Sequence, residues 1–332
     1  MPQAGGLNLK TLFVPGPYDN LALPLKGALG PNANLSSLDY GTLSDDTSQL
    51  AARSEALVLG PGAEAACELA SEDGEIQFVQ FTGCRQSSLA VNALQANGLT
   101  VANAAPVIAP FVAEHTVSLI HAALALAGQR ARPISELVIG IVGLGNVGIE
   151  VARHFAEVGA SIVYHDIRTV VQGYATEVGA RRHSLDRMLL NADVVSVHVS
   201  DTPHTPGVIS DRELKLMKSG AVLVNTSLPE ALDESDVAQA LASGKLGAVA
   251  LGVMETYPDS QPGPLSGQDK VITELSDATD REVVLKAVAA LVAHNLKRVE
   301  AGDPPRGLID PVGFPGVGDP SFWSSRLAPR QP

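Results

Sequence analysis

An α/β fold built on parallel sheet and divided between two domains is what this sequence predicts, on three observations. Short β-rich apolar runs alternate with amphipathic helical stretches from start to finish. The chain has 332 residues, and at about 150 residues per domain that suggests two. Hydrophobic residues make up 45% and charged residues 18%, which supplies a packed core and argues against intrinsic disorder.

In the first hundred residues LFVPG (12–16), ALVLGPG (56–62) and IQFVQFTG (76–83) are apolar runs that end in Gly or Pro, as strands entering loops do. They mark a small α/β domain. FVAEHTVSLIHAALALAG (111–128) reads as a long helix, and the polar QRARPISE after it leads into a second, stronger βαβ series, with a boundary near residue 102. After Ser276 a helix is expected over residues 279–302. Seven prolines and five glycines over residues 302–332 are too many for regular structure, and this tail is expected to fold back along the first domain. Its Ser321-Phe322-Trp323 holds the only tryptophan, either a hydrophobic anchor or a lid or subunit contact.

Lys and Arg number 23 and Asp and Glu 36, a formal charge of −13. A field of that sign repels phosphate backbones and anionic lipid, so neither nucleic acid nor a membrane is an expected partner. A small anionic substrate stays open if a few cations converge in a pocket. No uninterrupted apolar run approaches the roughly 18 to 20 residues of a membrane span. MPQAGGLNLKTLFVPG at the start lacks a basic region followed by a long apolar one, so a soluble cytoplasmic protein is expected. Cys67 and Cys84, the only cysteines, are too few for a disulfide framework and lack the second pair of a zinc site, so no metal is expected.

The most informative segment is LVIGIVGLGNVGIEVARHFAEVGASIVYHDIR, residues 137–168. A buried strand leads into Gly143-Leu144-Gly145-Asn146-Val147-Gly148, a helix closed by Gly159 follows, and a second strand ends at Asp166. Gly143 permits the tight turn, Gly145 lets backbone approach a pyrophosphate, and Gly148 lets the helix pack close to the strand. The free N–H groups of the helix start at Asn146 and Val147 face the phosphates. Asp166, eighteen residues after Gly148, stands where a carboxylate accepts from an adenosine ribose hydroxyl. It would repel a 2′-phosphate, which predicts NAD rather than NADP. Arg168 is either a surface arginine or a group that accommodates that phosphate.

From about residue 75 to 311 the motifs GLTVANAA, VAEHTVSLIHAALALA, VGLGNVG, NADVVSVHVSDTPHT, LKLMKSGAVLVNTS, ALASGKLGAVALGV and NLKRVEAGDPPRGLIDP stand in an order that resembles the D-isomer-specific 2-hydroxyacid dehydrogenases. The resemblance implies a Rossmann-type doubly wound parallel sheet with a second, smaller flavodoxin-like α/β substrate domain. Residues 1–101 plus 297–332 would form that discontinuous substrate domain and residues 102–296 the NAD-binding domain, with a cleft between. It also implies a homodimer formed through the nucleotide domain, and it sets Thr226 and the His198 and Thr202 segments beside the cofactor. His198 has a local reading too, as a polar residue satisfied at the end of an apolar strand.

The family's chemistry needs an arginine to hold the substrate carboxylate and polarise the carbonyl, a histidine to pass the alcohol proton and a glutamate to tune it. None stands at its matched position. Leu228 and Pro229 replace the arginine and its glycine. Tyr257 replaces the glutamate, with Glu255 nearby, and Gly252 replaces the aspartate that orients the nicotinamide. In VITELSDAT (271–279) the loop is one residue short, so the histidine position falls on Glu274 or Leu275. Losing a positioned acid or base forfeits about 10²- to 10⁴-fold in rate. A lost charge-assisted hydrogen bond to the substrate costs a further ~1.5–3 kcal/mol.

Candidate replacements are few. Arg85, in the loop Thr82-Gly83-Cys84-Arg85-Gln86, either brings a cation from the other wall of the cleft or is a surface arginine. Tyr257 needs strong help to donate a proton. His115 reads as a packed or capping histidine rather than a catalyst, and Cys84, with no base beside it, as a small buried residue.

Three functions remain in view. An NAD-dependent oxidoreductase on a small hydroxy or oxo compound, with Glu274 as proton shuttle and Arg85 or Tyr257 as polariser, is the working expectation. A non-catalytic NAD-binding sensor would keep phosphate machinery beside erased chemistry. A lyase or isomerase would retain NAD without consuming it.

Overall fold

The computed structural model describes residues 7–16, 20–39, 45–70, 74–84, 86–167, 172–253, 263–275 and 278–309. Arg85, Arg168, Glu255, Tyr257 and the Ser321-Phe322-Trp323 segment lie outside these residues.

Two all-parallel sheets account for the expected α/β class. The first joins β1 (Thr11–Val14), β2 (Leu35–Ser37), β3 (Ala56–Leu59), β4 (Phe78–Phe81) and β5 (Thr100–Ala102) in the order β2-β1-β3-β4-β5. Every residue of TLFV, ALVL and FVQF in β1, β3 and β4 is buried, as strands covered on both faces require. Helices α1 (Ala22–Leu29), α2 (Asp45–Ala51) and α3 (Ser88–Ala96) connect them, and the strand order is the flavodoxin-like one.

Helix α4 (Ala105–Leu126) leads to the second sheet and starts well before the expected position 111. Pro106 sits in its first turn, where a missing N–H has no intrahelical acceptor anyway, and Pro110 forgoes one bond near the same end. His115 is therefore interior to the helix and caps nothing. By length and composition α4 is apolar enough to cross a membrane, although Glu114, His115 and Thr116 break the run in the sequence. More than half of its most apolar stretch is buried within the protein. Ile108 and Val112 enter the first sheet's core, and Val117, Leu119, Ile120 and Leu124 enter a core on the second.

The second sheet collects β6 (Val138–Val142), β7 (Ser161–His165), β8 (Arg181–Arg182), β9 (Val194–Val197), β10 (Ala221–Asn225), β11 (Leu246–Val253) and β12 (Val271–Leu275). Between them run α5 (Asn146–Glu157), α6 (Gln172–Glu177), α7 (Leu185–Asn191), α8 (Asp211–Leu216) and α9 (Glu234–Ala242). The order is β12-β11-β10-β9-β6-β7-β8. The chain winds outward from β6 to β8 and returns to β9 on the other side, which makes the β6/β9 junction a topological switch point with a crevice at the strands' carboxyl ends.

Helix α10 (Ala278–Glu300) returns the chain to the first sheet, where Val288, Leu291, Val292 and Leu296 pack with Leu7, Phe13 and Leu25. Asn295, fully buried, donates to Gln80 Oε1 at 2.7 Å and to the Arg306 carbonyl at 2.8 Å, and accepts from the Arg306 N–H at 2.8 Å. These bonds tie helix, β4 and tail together. The start of the tail folds back along the first sheet as expected: Leu308 forms an antiparallel bridge with Ala102, and Ile309 N–H donates to the Val101 carbonyl.

At the amino edge of the second sheet, buried Asp193 accepts from Val138 N–H at 2.8 Å, Lys218 Nζ at 2.9 Å and Arg132 Nη1 at 3.0 Å. Burial pushes its carboxyl up, but the backbone bond and the two cations outweigh burial and hold it below the usual carboxylate range. Both cations are more than a third exposed, so water screens the pairs. Asp193→Asn is expected to destabilise the fold by ~1–3 kcal/mol at neutral pH. Because the folded carboxyl is the stronger acid, the wild-type advantage is complete above about pH 4 and disappears as pH falls through the depressed value. Thermal melts of both proteins across that range check this; a gap independent of pH would contradict it.

Candidate cofactor and active site

Strand β6 ends at Val142 and turns through Gly143, whose φ of +90° lies in the left-handed region that favours glycine. A Cβ there would stand 2.4 Å from the His198 carbonyl oxygen, and one at Gly148 would stand 2.2 Å from the Gly143 oxygen. Neither position admits a side chain. His198 N–H donates to the Val142 carbonyl at 2.8 Å, so the ends of β6 and β9 are stitched at the switch point. Gly145 precedes α5, whose start carries no side-chain cap, leaving the Asn146 and Val147 end as a natural anion-facing surface. Val147 packs against the first sheet's core, so this turn sits where the two sheets' cores approach.

Asp166, just past the end of β7 and buried, accepts from Leu144 N–H at 2.9 Å. Turn and acid, 22 residues apart in sequence, thus meet directly. Arg182 Nη2 donates to the Asp166 carbonyl at 2.8 Å, and beside it a cavity of about 490 Å³ is lined by His165, Arg182, His183, Ser184 and Arg187. Burial, then Arg187 and Arg181, hold His183 below its ordinary value, so the arginines carry the positive charge of this wall.

On the other side of the switch point, His198 Nε2 pairs with Ser196 Oγ at 2.8 Å, and burial pushes the ring down to about 3, leaving it neutral. Its side chain is satisfied locally while its carbonyl borders Gly143. Thr202 is held in a loop by Thr205, whose hydroxyl lies 2.9 Å from its own, and Ser88 N–H of α3 donates to the Asp201 carbonyl at 3.1 Å. Thr226, buried after β10, lies 2.8 Å from Thr116 Oγ1. Thr116 gives its one hydroxyl hydrogen to the Val112 carbonyl, so Thr226 is the donor in that pair.

Asn225 has no counterpart in the sequence expectations, yet it shapes this loop. Its Nδ2 donates to the Leu228 carbonyl at 2.8 Å and its Oδ1 accepts from Ser227 N–H and Oγ. Leu228 offers no cation here. Gly252 in β11 is in register with Glu274 in β12, and Val253 with Leu275. Glu274 is therefore the backbone neighbour of Gly252; its side chain, like Arg85 and Tyr257, lies outside the description.

Cys84 is a half-buried thiol packed against the first core, and burial with nearby Glu64 pushes Cys67 up to about 11, which does not favour a thiolate there. Among the described residues no group of His, Cys, Asp and Glu is placed to hold a metal. Two buried polar atoms lack a partner there, Gln86 Oε1 and His115 Nε2. Missing partners are a tertiary property, and no pattern in the sequence could flag them.

Residues 121–274 match the model of the D-isomer specific 2-hydroxyacid dehydrogenase, NAD binding domain. The D-3-phosphoglycerate dehydrogenase of Archaeoglobus fulgidus is 27% identical over 271 residues, 77% of this chain and 51% of that protein. The glyoxylate reductase of Aeropyrum pernix is 34% identical over 173 residues, 52% of this chain and 51% of that protein. This chain thus spans about half the length of these curated relatives. A glyoxylate reductase from Paecilomyes thermophila shares the fold, with a TM-score of 0.76 at 22% identity over 91% of this chain and 99% of that one. So does the NAD-complexed D-isomer specific 2-hydroxyacid dehydrogenase of Lactobacillus delbrueckii ssp. bulgaricus, with a TM-score of 0.67 at 19% identity over 90% and 100%. The glycine turn bound to Asp166 lies inside the matched segment, residues 121–274, which is an NAD-binding domain of the D-isomer specific 2-hydroxyacid dehydrogenase type.

Proposed function

We propose that this chain is an NAD-dependent oxidoreductase acting on a small 2-hydroxy or 2-oxo compound with a non-standard catalytic set. The observation that carries the reading is the hydrogen bond from Leu144 N–H to Asp166, inside a turn where Gly143 and Gly148 leave no room for side chains. That arrangement fits a dinucleotide. Asp166 takes the adenosine ribose, and the start of α5 at Asn146 and Val147, with Gly145, takes the pyrophosphate. The His198, Thr202 and Thr226 loops border the remainder.

When bound, the nicotinamide supplies the hydride chemistry. The chain supplies the rest: residues 1–101 with 297–332 act as the substrate domain and residues 102–296 as the cofactor domain, with α4 and α10 crossing between them. With Leu228 and Gly252 unable to carry charge, Arg85 or Tyr257 polarises the substrate and Glu274 moves the proton. The relatives' names refer to phosphoglycerate and glyoxylate, which supports a small anionic substrate. Pairing through the nucleotide domain into a homodimer belongs to the same proposal.

One observation favours a second reading, an NAD-binding sensor without turnover: Leu228, an apolar residue, stands where the family's arginine is matched, its carbonyl engaged by Asn225.

Calorimetric titration tests the cofactor assignment. NADH is expected to bind more tightly than NADPH, and Asp166→Ala to weaken NADH by about tenfold. Tighter NADPH binding would instead assign Arg182 and Arg187 to a 2′-phosphate. Oxidation of NADH by a panel of 2-oxo acids, aldehydes and ketones tests the activity. Turnover with one of them is expected, with Glu274→Gln and Arg85→Ala each lowering kcat/KM by about 10² or more. Binding without turnover across the panel would favour the sensor.

A further inference from the structure

We propose that His115, whose Nε2 lies against Gly252 near the carboxyl end of β11, binds the carboxamide at the nicotinamide end of the dinucleotide. The inference rests on the NAD reading above.

A nitrogen shut away from water without a hydrogen bond is rare in a native fold and calls for an explanation. His115 Nε2 is such an atom among the described residues. Its surroundings say where it faces. A Cβ built on Gly252 would lie 2.9 Å from His115 Nε2, 2.8 Å from Thr226 Cγ2 and 2.7 Å from Leu119 Cδ1. Three side chains, two of them buried, converge on one point, so residue 252 can carry neither a carboxylate nor any other polar group without displacing them. Leu119 is aliphatic and the Thr226 hydroxyl is committed to Thr116. Among the described residues His115 Nε2 thus has no protein partner at this spot.

The topology supplies the ligand. A doubly wound sheet holds the two halves of a dinucleotide on opposite sides of its switch point. Asp166 and the glycine turn occupy the β6–β7 side, which leaves the nicotinamide half to the carboxyl ends of β9, β10 and β11. Gly252 is one residue from the end of β11 and Thr226 follows β10. A carboxamide offers both a carbonyl acceptor and N–H donors, and an imidazole nitrogen donates or accepts according to its tautomer, so the carboxamide can answer either. Thr116, one residue along α4, is bonded to both Val112 and Thr226, which fixes the rotation of the helix that presents His115.

The test is calorimetric binding of NAD+ and of ADP-ribose, which lacks the nicotinamide, to the wild type, His115→Ala and His115→Gln. His115→Ala is expected to weaken NAD+ by about tenfold and leave ADP-ribose within about twofold, and His115→Gln, which restores an amide, to recover most of the loss. Equal weakening of both ligands, or of neither, overturns the assignment while leaving NAD binding intact. Failure of the wild type to bind either ligand overturns the NAD reading itself, and this inference with it. Should the alanine variant not fold, the ring nitrogen resonances of His115 in the unaltered protein decide: a shift with NAD+ but not with ADP-ribose is expected, and no shift with NAD+ overturns the proposal.

Discussion

The close approach of the β6–α5 turn to the end of β9 is the constraint on which the rest of the molecule depends. The His198 carbonyl stands where a Cβ on Gly143 would be, and the Gly143 carbonyl stands where one on Gly148 would be. Three backbone segments therefore share a space that only glycine leaves open, and α5 starts directly over the switch point with its amides exposed. The same turn presents Leu144 N–H to Asp166, so the strand that follows α5 is fixed to the loop before it. The uncapped helix start and the Asp166 carboxylate are one construction.

Two long helices join this construction to the first sheet. The apolar surface of α4 is divided, Ile108 and Val112 to one core and Leu119 to Leu124 to the other, which explains a helix apolar enough for a bilayer yet enclosed by protein. On α10, buried Asn295 has its amide bonded to Gln80 and Arg306, satisfying polar groups that would otherwise be stranded in the first core. His115 stands on α4 between Val112, which enters one core, and Val117, which enters the other.

Across the switch point from the glycine turn, the carboxyl ends of β10 and β11 are closely packed. Gly252 is enforced by the packing of Leu119, Thr226 and His115, and Asn225 braces the loop that carries Leu228. Substituting back a single family residue at 252 would meet side chains already in place.

The α/β class and the strand-turn-helix-strand cofactor unit were legible in the sequence by itself, because they rest on local periodicity, glycine spacing and motif order. The tertiary structure decided what depends on non-local geometry. It extended α4 back to Ala105, since Pro106 is tolerated in a first turn and the one bond Pro110 forgoes is offset where neighbouring cores bury the helix. It set Glu274 rather than Leu275 beside Gly252, through a strand register that no pattern of residues encodes uniquely. Among the described residues it left His115 Nε2 and Gln86 Oε1 without partners, a property that depends on the placement of neighbours distant in sequence.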